Sequence, residues 1–343
     1  MTTTTRRTTS AGTASAATDT MRAAEYRRFG PPEVVAVTRV PKPVPAPDEL
    51  LVRVHASTVS IADHRIRSRR VPRGLLPLVA PSIGVFRPRN RVLGMEAAGT
   101  VEAVGADVTR FAPGDEVVLM RGSRFGGHAE YVTAREAGTV AKKPAALSFE
   151  EAVAIVFGGY TAVSYFGRAE IGEGTRVLVN GASGAVGTMA VQLAAHRGAI
   201  VTGVTSGRNA ELVRSLGAAR VIDYETEDFA AGDDTWDVIV ECVGNAPYSR
   251  VAGSLAPGGA LLLVITDLAG MLRAKRDSRR SGGVVTASGP ALTQEQFADL
   301  LELAASGAIR PVIDRTYDLD DIVEAHRYVD TGRKRGSVVV RVP

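Results

Sequence analysis

Seven residues near the middle of the chain, Gly181-Ala182-Ser183-Gly184-Ala185-Val186-Gly187, have the types and spacing to wrap backbone N–H groups around a phosphate. Gly184 would let the main chain approach a pyrophosphate closely, and Gly187 would let a following helix pack tightly on a preceding strand. The flanking sequence supplies both elements. Val177-Leu178-Val179 is a short apolar run of the kind a buried parallel strand shows. Met189, Val191, Leu193 and Ala194 form the apolar side of a helix. A helix N-terminus at the turn offers unpaired N–H donors and the positive end of its dipole. Strand, glycine turn and helix in this order predict a dinucleotide-binding unit. One position departs from G-x-G-x-x-G: its first glycine is Ala182, with Gly181 just before it. A nucleophile elbow, G-x-S-x-G, fails at Ala185, which removes Ser183 as a nucleophile.

The next strand, Ala199 to Thr205, ends in Thr205-Ser206-Gly207-Arg208-Asn209. A site for NADH would place an Asp or Glu here to hold the ribose 2′-hydroxyl. A hydroxyl and a guanidinium suit a 2′-phosphate instead, because Arg can grip phosphate through two N–H groups. The expected cofactor is therefore NADPH. The competing reading makes Arg208 a solvated residue at a helix start.

These residues need a scaffold, and the chain has room for two domains in its 343 residues. Apolar residues make up 45% and charged residues 23%, ordinary for a globular chain, and the net charge of +4 does not call for nucleic acid. A single cysteine, Cys242, excludes an internal disulfide and a cysteine-rich zinc lobe. No apolar run reaches the length of a transmembrane segment. The Thr/Ser/Ala-rich stretch 1–20 reads as a disordered tail without a secretory signal, and the expected location is cytoplasmic.

Short strands punctuated by Gly and Pro run from Met21 to about 147: Met21–Tyr26, Val34–Val37, Glu49–Ala56, Val92–Gly94, Ala97–Val104 and Glu116–Leu119. From Ser148 the pattern turns helical, and strands then alternate with helices to about Ser288. A helix at Thr293–Ser306 opens with a capping pair, Thr293 and Gln296. Strand returns at Val312–Tyr317 and Val338–Val342, around a helix near Asp320–Tyr328. An all-β part is thus interrupted by a doubly wound α/β part, with a binding cleft expected between them.

At this level the sequence resembles the medium-chain dehydrogenase/reductase superfamily, in its zinc-free quinone oxidoreductase branch. The likeness runs from Met21 to Val342. It rests on Gly30-Pro31-Pro32-Glu33, Gly94-Met95-Glu96-Ala97-Ala98-Gly99-Thr100-Val101, Phe111-Ala112-Pro113-Gly114-Asp115-Glu116-Val117 and Gly126-Gly127-His128-Ala129-Glu130-Tyr131. Tyr160-Thr161-Ala162, the 182–187 turn and Leu216-Gly217-Ala218 add to it. The resemblance implies an α/β fold: a GroES-like β-rich catalytic domain at 21–147 and 310–343, and a doubly wound Rossmann cofactor domain at 148–309. It implies pyrophosphate contacts at Ala182, Gly184, Ala185 and Val186. Ser206, Arg208 and Tyr224 would surround the 2′-phosphate, Thr161 the nicotinamide side, and Val243 and Gly244 the ribose. Tyr224 reads equally as a structural aromatic at a strand end. Family members commonly form homodimers through the cofactor-domain sheet, which makes 284–287 a candidate edge.

Zinc-dependent members carry Cys where Ser60 stands and His where Met95 stands, so no zinc is expected; the five histidines show no ligand spacing. Without a metal, negative charge developing on a substrate oxygen needs protein donors. The candidates are Ser60 as an oxygen donor and Arg65 as an electrostatic stabiliser partnered by Asp63, against a reading in which Asp63–Arg65 is a surface pair and Ser60 only packs. In relatives Asn-Pro stands at Ser60-Ile61, so no named catalytic residue transfers. The stretch 71–91, apolar, Pro-rich and edged by arginines, reads as a lid over the cleft or as a packed loop. The expected substrate is a small lipophilic acceptor, a quinone or an α,β-unsaturated carbonyl. Two other readings stand beside it: an enoyl-thioester or tailoring reductase, favoured by the basic runs, and a non-catalytic NADPH-binding protein with RNA affinity.

Overall fold

The structure, a computed structural model, describes residues 19–343; residues 1–18, nearly all of the expected tail, lie outside the described residues. The chain opens with an antiparallel ribbon of β1 (Thr20–Tyr26) and β2 (Val35–Pro41). It continues through β3 (Glu49–Val59), α1 (Ile61–Ser68), α2 (Leu76–Ile83), β4 (Glu96–Val104), β5 (Glu116–Met120), β6 (Tyr131–Arg135) and β7 (Thr139–Lys142). After the long helix α3 (Phe149–Phe166) come β8 (Arg176–Asn180), α4 (Ala185–His196), β9 (Ile200–Thr205), α5 (Ala210–Ser215) and β10 (Arg220–Asp223). Then follow β11 (Trp236–Glu241), α6 (Tyr248–Val251), β12 (Leu255–Leu263), α7 (Leu268–Ser281), β13 (Val284–Thr286) and α8 (Gln294–Ala305). The chain closes with β14 (Ile313–Asp318), α9 (Ile322–Asp330) and β15 (Ser337–Arg341).

Two sheets carry the fold. One has the order β14-β15-β3-β4-β5-β7. The 11-residue strand β3 is long enough to pair along one edge with two strands in succession, β6 at Glu49–Arg53 and β15 at Ala56–Val59. The other sheet has six strands in the order β10-β9-β8-β11-β12-β13, all parallel. The order in which strands are added reverses between β8 and β11, the crevice where a parallel α/β sheet binds ligands beyond its carboxyl ends.

Helix α3 joins the two. Ser148 and Glu151 form a reciprocal capping box at its start. Its interior is apolar on nearly every side, which is what burial from all directions requires. Its side chains share one core with Ala56, Ala98 and Val118 of the first sheet and with Val177 and Val179 of the second. At Gly158 the helix passes so close to the start of α4 that a Cβ would sit 2.1 Å from the Ala185 carbonyl oxygen.

Several sequence expectations change. The strand expected at Val92–Gly94 is a single bridge, Val92 to Glu25, because Gly94 has a positive φ of 89° and turns the chain. The helical pattern that begins at Ser148 runs as α3 to Phe166, and β6 and β7 add two strands to those expected before it. Helix α7 carries a run of basic residues from Arg273 to Arg280. The 71–91 stretch contains α2, whose Pro77 falls in the first turn, where no intrahelical N–H bond is lost.

Candidate functional site

The two sheets and α3 enclose a cleft of about 1120 Å³ that follows the switch point of the parallel sheet. The glycine turn forms its floor. The N–H groups of Gly181 and Ala182 donate to Val204 O, which ties the turn to β9. Gly184 is the N-cap of α4, and no side chain caps that helix. The first N–H groups of α4 therefore face the cleft without an internal partner, a ready anion site. Gly187 is needed for packing, since a Cβ there would lie 2.1 Å from Gly181 O. Ala182 stands where the usual motif has glycine, and it does not reach the cleft wall. Its methyl is buried against Gly203, where a side chain would meet it at 3.1 Å.

The end of the cleft at the C-terminus of β9 is a polar corner. Thr205 and Asn209 both donate to the Ser183 hydroxyl, at 2.9 and 3.2 Å, and Asn209 also donates to Ser206 at 3.2 Å. Ser206, Arg208 and Tyr224 all line the cleft. Arg208 is exposed and Tyr224 stands at the rim, 59% exposed. At the other end Thr161 lines the cleft from α3, its hydroxyl donating to Phe157 O at 2.7 Å. Val243 lines the cleft, whereas Gly244 faces an adjoining cavity. Both N–H groups donate to the Glu241 carboxylate. Asn180 donates to Glu241 and to Asn245, locking the ends of β8 and β11 together at the switch point.

Beyond Thr161 the cleft is walled by α1, whose two faces divide the expected residues. Ser60 is the N-cap of α1, and Asp63 closes a capping box with it, taking Ser60 N–H at 2.8 Å and the Ser60 hydroxyl at 2.6 Å. The other Asp63 oxygen accepts the Gly94 N–H at 2.8 Å. Both side chains are buried and hold the helix start in place. Arg67, one turn after Asp63, is wholly buried and chelates Asp330 of α9 at 2.6 Å through both oxygens. His64 joins the same carboxylate at 2.6 Å, away from its sequence neighbour Asp63. The opposite face of α1, with Ile61, Ala62, Arg65 and Ile66, lines the cleft. Arg65 thus faces the cavity without Asp63 as its partner, and burial pulls its guanidinium below the usual range. Met95, Phe125 and, from α2, Val79 and Ile83 complete an apolar chamber around it.

Two further titratable groups, one buried and one half-buried, were not among the expected site residues. Glu96 lies fully buried behind Met95, with Thr58 donating to one carboxylate oxygen and the other unpartnered. Burial first, and the Asp63 charge second, raise its carboxyl to about 8. Lys334 enters the cleft from the loop before β15, where Gly336 N–H donates to Ser183 O at 2.8 Å. Its only hydrogen bond among the described residues is to Gly336 O, and burial lowers its ammonium to about 8. His128 and His326 meet with ring centroids 5.8 Å apart; burial keeps His326 well below its ordinary range, hence neutral. Burial also pushes the Cys242 thiol far up, out of the range of a nucleophile.

Two family models match the chain: the alcohol dehydrogenase GroES-like domain over residues 46–145, and one described as zinc-binding dehydrogenase over residues 216–340. A 2-methylene-furan-3-one reductase of Solanum lycopersicum is 31% identical, over 93% of this chain and 79% of the relative. A chloroplastic quinone oxidoreductase of Triphysaria versicolor is 31% identical, over 93% of this chain and 98% of the relative. Among solved structures, the quinone oxidoreductase of Coxiella burnetii superimposes with a TM-score of 0.85 at 28% identity, covering 95% of this chain and all of that one. The zinc in the second model's description does not fit these residues. Ser60 is closed in its capping box, Met95 is a thioether, and no group of three or more His, Cys, Asp or Glu side chains among the described residues has a ligating arrangement.

Proposed function

The chain belongs to the medium-chain dehydrogenase/reductase superfamily, in its quinone oxidoreductase-like branch, and on that premise we propose a zinc-independent reductase that uses NADPH to reduce a quinone or an α,β-unsaturated carbonyl. The observation that carries this reading is the continuity of one cleft: an uncapped helix N-terminus and a basic, hydroxyl-lined corner lead into an apolar chamber holding Arg65. Gly184, Ala185 and Val186 present backbone N–H groups to the pyrophosphate, and Lys334 adds a cation beside them. Ser206 and Arg208 take the 2′-phosphate, with Tyr224 over the adenosine edge. Thr161, Val243 and Gly244 flank the nicotinamide riboside. The bound nicotinamide supplies the hydride.

The chain's own work at the acceptor end is electrostatic. Reduction leaves negative charge on the acceptor oxygen, and Arg65 is the cation in the chamber that stabilises it. Ser60 and Asp63 position α1, and hence Arg65. Val79 and Ile83 of α2 exclude water from the chamber, and water at its mouth returns the proton. Residues 21–147 with 310–343 form the catalytic domain, and 148–309 the cofactor domain. A homodimer joined along β13 completes the proposal. The test is oxidation of NADPH and NADH by the purified protein against quinones, enones and a saturated ketone. Turnover is expected with NADPH and a conjugated acceptor. Turnover of the saturated ketone alone would overturn the reading.

A further inference from the structure

A second cavity of about 450 Å³ opens beside the acceptor end of the cleft. The two share Arg65, Val71, Val243 and Ile265 as a common wall. Three arginines line the side cavity: Arg65 from α1, then Arg70 and Arg73 from the segment that follows. Among the described residues none of these guanidinium groups makes a hydrogen bond or an ion pair. The bonds at Arg70 and Arg73 are backbone ones, Arg70 N–H to the Ser68 hydroxyl and Leu268 N–H to Arg73 O. No Asp or Glu occurs in sequence between Asp63 and Glu96. The carboxylates on the far wall are already engaged. Glu241 accepts from Asn180, Val243 and Gly244, and Asp267 accepts from Gly270 and caps α7.

A half-buried cation without a partner is unfavourable unless an anion joins it. Arg65 is such a cation, and Arg70 and Arg73 extend its field across a space large enough for a substituent. An uncharged quinone has nothing to place there. We infer that the side cavity holds an anionic group carried by the acceptor, a phosphate or a carboxylate. The substrate class is therefore an enone or enoyl thioester with an anionic tail, a conclusion that rests on the reductase reading above.

The test reads binding, so it does not depend on turnover. Butyryl-coenzyme A, a saturated thioester with phosphates, is titrated calorimetrically into the protein with and without NADP⁺, against the truncated N-acetylcysteamine thioester of the same acid. Levulinate against its methyl ester forms the carboxylate arm. The charge reversal Arg70→Glu/Arg73→Glu changes two exposed side chains, and its NADP⁺ affinity reports its folding. The native protein should bind the anionic member of at least one pair about ten-fold more tightly, a preference weakened by salt. The reversal should remove that preference and leave the neutral members within about two-fold. A preference for butyryl-coenzyme A alone identifies phosphate, and one for levulinate identifies carboxylate. Equal affinities within both pairs, or a preference that survives the reversal, would overturn the inference. Absence of NADPH oxidation by any enone or quinone, with the preference intact, would sink the reductase reading and leave the anion site standing.

Discussion

At the scale of single residues, the proposed preference for NADPH rests on Arg208. It is an exposed guanidinium on the cleft wall at the end of β9, where a site for NADH would carry an acid. Three carboxylates stand around this corner: Asp223 lies beside Gly207 and accepts the Glu225 N–H, while Glu227 and Asp228 line the cleft and are ion-paired with Arg220 and Arg250. Arg208→Ala should weaken NADPH by about ten-fold or more, the worth of a charge-assisted bond, and change NADH by less than about two-fold. Equal losses, measured as dissociation constants, would remove the 2′-phosphate assignment. Lys334 adds a pH dependence. Its ammonium, lowered to about 8 by burial, must be protonated to face a pyrophosphate. Cofactor affinity should be flat below pH 8 and fall as pH rises through 8, and Lys334→Met should flatten the profile. Glu96 acts on stability with its own sign. Its carboxyl is raised from an ordinary 4.5 to about 8, so the native state binds the extra proton between those values. Stability is then present below that window and lost as pH rises through it. Melting temperature should drop between pH 5 and 8 in the wild type, and drop less in Glu96→Gln. A parallel drop in both would contradict this role. Of these residues, the sequence singles out only Arg208, through the missing acid at the end of β9. Ser60 and Asp63 did carry a signal, the S-x-x-D of a capping box, which assigns them to the helix start. Lys334 carried none, because it reaches the cleft only when Gly336 folds back onto Ser183.

At the scale of elements, the site depends on where α3 holds α4. The uncapped N-terminus of α4 is useful only if it points at the cleft, and Gly158 sets the distance between the two helices. Gly158→Val would drive a side chain into the Ala185 carbonyl. The cost should be about 1–3 kcal/mol of stability, from overpacking, with a loss of dinucleotide affinity. Denaturant unfolding and a cofactor titration measure the two effects. Retention of full affinity would show that α4 is positioned by other contacts. The strand–turn–helix around 175–195 was readable because every step in it is local. Helices α1, α2 and α7 were not, for separate reasons. The cap of α1 reads as a candidate oxygen donor, α2 contains two prolines, and α7 carries too few apolar residues to announce a buried face.

At the scale of the whole molecule, the chain leaves its first sheet at β7, builds the parallel sheet, and returns at β14 to pair β15 with β3. That return closes the cleft, since it brings Lys334 to the glycine turn and Asp330 to Arg67. The sequence pattern announced the return through its last strands, and composition ruled out a cysteine-rich zinc lobe. The proposed division of labour along the cleft, phosphates at one end and an apolar chamber at the other, depends on packing between residues far apart in the chain. Among the described residues no helix is long and apolar enough to cross a membrane. The central claim is that hydride passes directly from the dinucleotide in this cleft to a conjugated acceptor in the adjoining chamber. The measurement that meets it most directly is reduction of an enone with NADPH deuterated at C4 of the nicotinamide, on the transferred face, in ordinary water. Mass spectrometry of the product should find one deuterium at the β-carbon. A product reduced at that carbon but free of deuterium would contradict the account.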